Sequence, residues 1–150
     1  MKLIAIDPGV HHLGLAVFDG KELSYAHFVQ ATKTLDLITA LDSLADVFSD
    51  TRVVIEQMTT TGNRARRGRT NDLLDVSVMI GRIFQWAAAG RPELVPIRKW
   101  KGQATKDVTR NRCLAKLSKY ELQVVFLPKD KKRQTDVWDA VGIGLWALKR

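Results

Sequence analysis

Residues 3–18 read LIAIDPGVHHLGLAVF. Four apolar residues run into Asp7, Pro8-Gly9 turns the chain, and a second apolar run follows over 13–18. The pattern predicts strands over 2–6 and 13–18. Asp19-Gly20 is a two-residue hairpin signal, so a third strand is expected over 23–29. Beyond it the period changes. Leu35, Ile38, Leu41, Leu44, Ala45 and Phe48 share one helical face over 34–48. Arg52 and the β-branched Val53, Val54 and Ile55 predict a short buried strand. A loop rich in Thr, Gly and Arg spans 59–70. Asn71 or Asp72 then caps a long helix over 71–89, which Gly90-Arg91-Pro92 ends. A strand over 94–97, a basic turn, a helix over 107–117, an extended segment over 123–127, a basic loop over 130–134 and a helix over 136–148 complete the chain. A meander of three strands followed by alternating helices and strands predicts an α/β fold. Its mixed sheet has five strands in the order 3-2-1-4-5, flanked by helices. No repeat, low-complexity tract or linker interrupts the 150 residues, so a single domain over 1–150 is expected.

The charge narrows the partners. A net charge of +8 suits a polyanion, either nucleic acid or an anionic membrane surface. No apolar run approaches the roughly 18 residues of a membrane span. The apolar start, Leu3 to Ile6, is too short for a signal peptide. Cys113 is the sole cysteine, which excludes an intrachain disulfide and fits a reducing, cytoplasmic setting. Its place in a helical pattern beside Leu114 reads as structural.

Against that charge four acids stand out: Asp7, Glu56, Asp136 and Asp139. Asp7 and Glu56 each end an apolar strand. Asp136 and Asp139 lie three apart on a helix, so both point from one face. With the first and fourth strands adjacent, Asp7 and Glu56 lie side by side, and the first turn of the last helix can face them. Each acid has a plain reading: Asp7 as a turn residue before Pro-Gly, Glu56 as a solvated strand end, and Asp136 as a complement to the helix dipole. Taken together they predict something else. Converging carboxylates are costly to bury without cations, and hard oxygen ligands suit Mg²⁺, with Mn²⁺ able to substitute. Two such ions about 3.5–4 Å apart can hydrolyse a phosphodiester. His11 and His12 lack matching ligand spacing and read as loop residues.

These residues carry a resemblance. LIAIDPGVHHLGLAVF resembles the opening of the RuvC family of Holliday-junction resolvases, VVIEQ its central strand end, and TDVWDAVGIGLWAL its final helix. Lys106, at the start of a helix after a basic turn, resembles a catalytic-site lysine of that family. The likeness is greatest to its small bacteriophage-type members. It implies a ribonuclease H-like fold, a homodimer, and Mg²⁺-dependent symmetric nicking of four-way DNA junctions. Asp7, Glu56, Asp136 and Asp139 would be metal ligands, and Lys106 would contact the scissile phosphate. One departure follows Glu56-Gln57. Where cellular members carry a Phe that probes the junction centre, this chain has Met58-Thr59 and a loop bearing Arg64, Arg66, Arg67 and Arg69. Such a loop predicts backbone affinity more than base readout.

Arg98, Lys99, Lys101, Lys106 and Arg110 read as a second phosphate-binding face, and Trp100 as a base-stacking residue or an anchor for the turn. In the helix over 71–89, Leu73, Val76, Ile80, Ile83 and Ala87 form one stripe, while Leu74, Val78, Met79 and Trp86 spread apolar surface further round. A helix so apolar is covered on more than one face, which predicts the dimer interface, with a thick monomer core as the alternative. The expected activity is two-metal-ion nicking of Holliday junctions or other branched DNA during recombination, repair or DNA processing. A non-catalytic DNA-binding module of the same fold is the alternative. A kinase-like phosphotransferase needs a second phosphate loop and an adenosine site, which the sequence lacks.

Overall fold

The computed structural model describes residues 1–30, 34–44, 46–57 and 70–150. β1 (Lys2–Pro8), β2 (His12–Asp19) and β3 (Glu22–Gln30) form the expected antiparallel meander. Gly20 makes the β2–β3 turn with φ +58, a left-handed conformation that glycine adopts without a steric penalty. β4 (Arg52–Gln57) lies parallel to β1, and β5 (Arg91–Pro96) parallel to β4. The sheet is mixed, as expected, but it has six strands rather than five, in the order β5-β4-β1-β2-β3-β6. The sixth, β6 (Val125–Phe126), is two residues pairing parallel with Ala26 and His27 of β3. It is delivered by a short helix, α5 (Lys119–Gln123), which a reciprocal Ser118–Glu121 capping box starts.

Strand alternation sorts the core into two layers. Leu3 and Ala5 of β1, Ala16 and Phe18 of β2, and Val54 of β4 pack under α4 (Lys106–Lys116) and α6 (Lys131–Ala147). Ile4, Ile6, Leu13, Leu15, Val53 and Ile55 pack on the other face, under α1 (Thr34–Leu44) and α2 (Thr70–Trp86). Central strands buried on both faces read as unbroken apolar runs, which is what LIAI and VVI are.

Three local expectations change. α1 buries Leu37 and Leu41, and Phe48 lies beyond its end, 57% exposed, with the Lys2 ammonium 5.7 Å over its ring. Ala45 is outside the described residues. A helical turn, α3 (Ile97–Trp100), replaces the expected basic turn after β5. α6 begins at Lys131, not at Asp136, because the Asp130 side chain accepts the Lys132 N–H and caps it there. The run 130–134 is therefore cap and first turn rather than loop. Asp136 and Asp139 sit deeper in the helix, over the sheet, and a dipole role for Asp136 at the terminus falls away.

β5 closes one side of the sheet. The Arg91 N–H donates to Thr51 beside β4. Its alternate neighbours Pro92, Leu94 and Pro96 therefore turn their nitrogens outward.

Candidate active site

Parity along the strands places the first two acids. Ile6 pairs with Ile55 across β1–β4, and both face the α1–α2 layer. The next residues, Asp7 and Glu56, turn to the opposite face, that of α6. Across β1–β2, Asp7 pairs with Gly14. α6 rests on Gly14 so closely that a Cβ there would overlap the carbonyl of Asp136. A glycine thus lets the helix descend until Asp136 lies beside the Asp7 strand, with Asp139 one turn further along.

Their electrostatics show that the four groups sense one another. Burial, then repulsion from Glu56, Asp139 and Asp136, holds the Asp7 carboxyl well above the usual range. Some of the Asp7 side chain reaches solvent, although protein packs densely round its carboxyl. Glu56, 5% exposed, is pushed up to about 7 by burial first and by Asp139 second. Asp136 and Asp139 are also raised, chiefly by burial. One oxygen of Glu56, Oε2, is buried without a hydrogen-bond partner. The Trp100 indole N–H lies near enough to lower the Glu56 pKa, yet does not reach hydrogen-bonding geometry.

Two neighbours were not foreseen as part of this cluster. The Lys101 ammonium donates to Asp139 Oδ2 at 2.6 Å, with side chains only 9% and 14% exposed. Lys101, read from the sequence as a phosphate contact, lies among the acids. His12 Nε2 stands 3.3 Å from Asp136 Oδ2. Burial lowers the His12 pKa, and Asp136 opposes the shift. A strand-parity signal existed for His12, two residues before Gly14. None existed for Lys101, whose approach depends on the turn of α3.

The donor set fits a hard divalent cation, with four carboxylates and a buried orphan oxygen among them. In this conformation, however, no three His, Cys, Asp or Glu side chains among the described residues are grouped to hold a metal ion. Lys101 stands on Asp139 instead.

Basic groups flank the cluster. Lys106 opens α4, capped by Thr105, and its Nζ is 3.5 Å from Thr135 Oγ1, next to Asp136. Lys106, Arg110, Lys131, Gln134, Thr135 and Trp138 are among the residues lining a cleft of about 320 Å³. Arg98 and Lys99 are exposed on α3. Arg64, Arg66, Arg67 and Arg69, with Met58-Thr59, lie outside the described residues. Trp100 is partly buried and packs on the α4–α6 core. On the far layer, α2 buries Val76, Met79 and Ile83, while Leu74 and Val78 are 61% and 56% exposed.

Comparison with solved structures addresses the fold. Thermus thermophilus RuvC in complex with Holliday junction substrate is similar over 97% of this chain and 91% of that one, with a TM-score of 0.63 at 16% identity. A second Thermus thermophilus RuvC structure is similar over 97% and 92%, with a TM-score of 0.50 at 18% identity. The fold is ribonuclease H-like, of the RuvC type. No protein-family model and no curated protein matches the sequence. Among the described residues no helix is long and apolar enough to cross a membrane.

Proposed function

We propose that this chain is a divalent-metal-dependent DNA endonuclease that nicks four-way junctions or other branched DNA in recombination, repair or DNA processing. One observation carries the reading. Four acids from three separate stretches of the sequence lie on the α6 face of β1 and β4, each with a raised pKa, beside a basic cleft. A fold gains no stability from burying four mutually repelling carboxylates, so a ligand that rewards them is the simplest account. Asp7, Glu56, Asp136 and Asp139 would hold Mg²⁺, or Mn²⁺ in its place. Such ions, when bound, supply an activated water and charge stabilisation for the leaving oxygen.

The chain's own residues do the rest. Asp7 and Glu56, fixed by strand pairing, make a rigid floor. α6 brings Asp136 and Asp139 over it as one rigid edge. Lys106 is suited to the phosphate being cut, with Arg110 and Lys131 holding the backbone beside it. Arg98 and Lys99, with Arg64, Arg66, Arg67 and Arg69, would extend the basic face. A homodimer through α2 would present two such sites to symmetric strands. The small bacteriophage-type form, a single nuclease domain over 1–150 and a cytoplasmic location belong to the same proposal, and rest on the sequence.

A non-catalytic junction-binding module is favoured by one observation, the Lys101–Asp139 pair, which already neutralises one acid. Labelled four-way, three-way, flap and linear DNA incubated with Mg²⁺ separates the two readings. The wild-type chain should nick branched DNA. Asp7→Asn should cut slower by orders of magnitude while a gel shift shows binding kept or tightened, since less negative charge faces the phosphates. Binding without any cutting by the wild-type chain would establish the module instead.

A further inference from the structure

We propose that the Lys101 ammonium is a built-in counter-cation, holding the acid cluster together before a divalent ion arrives and leaving Asp139 when it does. The proposal rests on the metal-dependent reading above and assigns Lys101 a task within it.

The geometry argues for a cation seated in the cluster rather than a surface ion pair. Both partners are nearly buried, and the contact is 2.6 Å. Against the upward push of burial, the ammonium's charge also lowers the pKa of Asp7 and Glu56, although the acid it pairs with is Asp139. Asp136 has its own neighbour in His12. A cation paired with one of the converging carboxylates, and close enough to lower the pKa of two others, sits in the electrostatic niche of a metal ion. Among the described residues no three acids close on one point in this conformation, and Asp139 is engaged by the lysine.

The same surroundings allow the lysine to leave. Its stem runs past Trp100, with the ammonium 5.2 Å from the ring centroid, at the end of a four-residue helix. Gly102, with φ +61, follows at once. On its other side Lys101 lines a cavity of about 340 Å³ that also holds Trp100 and Trp146, so a withdrawn side chain has room. Arg112, Lys116 and Lys149 line that cavity too. They repel a second cation, which keeps the ammonium on Asp139 until a stronger charge displaces it.

Calorimetric titration of the full chain with Mn²⁺ alone, against Lys101→Met, tests this. The variant should melt at a lower temperature in chelator, with its acids uncompensated. It should bind Mn²⁺ about tenfold tighter or more, since no charge-assisted hydrogen bond must be broken first. The thermal shift on adding Mn²⁺ should be correspondingly larger. Nitrogen NMR of the wild-type lysine side chains gives a reading that needs no variant. A slowly exchanging Lys101 ammonium should be visible in chelator and lost at saturating Mg²⁺. Equal or weaker Mn²⁺ binding by Lys101→Met, or a Lys101 signal unchanged by Mg²⁺, would overturn the proposal alone. Absence of Mn²⁺ binding in both proteins would overturn it together with the metal-dependent reading.

Discussion

Glu56 ionises near neutrality because burial and Asp139 lift its pKa from 4.5 to about 7. The consequence for stability has a definite sign. Between about 4.5 and 7 the folded chain holds a proton that the unfolded chain has released, so stability falls as pH rises through that window. Without divalent metal, melting temperature should therefore drop from pH 5 to pH 7.5. Glu56→Gln should flatten that part of the profile and raise stability at its upper end. A profile that keeps its slope in the variant would show that Glu56 is not the group responsible. At this scale the acids were legible, because a carboxylate ending an apolar strand is chemically out of place. Lys101 was not. Lysine in a basic run reads as solvated, and only the turn of α3 carries it inward.

Gly14 sets how close α6 can come to the sheet. Gly14→Ala would put a methyl into the carbonyl of Asp136 and lift the helix. It should cost roughly 1–3 kcal/mol in denaturant titration, the usual range for overpacking. It should also lower nicking disproportionately, because the acids separate although none is altered. α2 offers a second test. Val78 points away from the buried Val76–Met79–Ile83 side, so Val78→Asp should leave the monomer fold intact. If α2 is the dimer contact, sedimentation should shift the variant to monomer. A wild-type chain that sediments as a monomer would count against the interface itself. Long periodic elements were readable, although α2 already includes Thr70, so Asn71 and Asp72 lie within the helix rather than capping it. Short ones were not. The Ser118–Glu121 box announces α5, but five residues carry too little periodicity to be heard. The basic run 131–133 disguised the first turn of α6, which the Asp130 cap starts.

Across the molecule, a charge of +8 surrounds an acidic centre. Binding should be driven by the basic rim and weaken steeply with salt. Lys106→Ala with Arg110→Ala should reduce affinity for all junction sequences alike. The log–log salt slope should flatten by about one per lost phosphate contact. Unchanged affinity with altered cleavage position would mean that the cleft reads bases. Strand order was accessible because a meander leaves few places for the strands that follow. The extended segment over 123–127 was expected, but two residues show no alternation that would mark them as a sixth strand pairing with Ala26 and His27.

The sides of the sheet also bear on how this chain behaves in a crowd. An open strand invites another copy to add to it, and ultimately a fibril. Here one boundary strand is only two residues long. The other lacks amide hydrogens at Pro92 and Pro96, two of its three outward-turned positions. Copies at high local concentration are thereby kept from zippering into each other. Pro92→Val restores an outward donor. In a concentrated, stirred solution it should raise turbidity and dye-reported cross-β growth over the parent chain, while dilute samples keep the parent's circular dichroism.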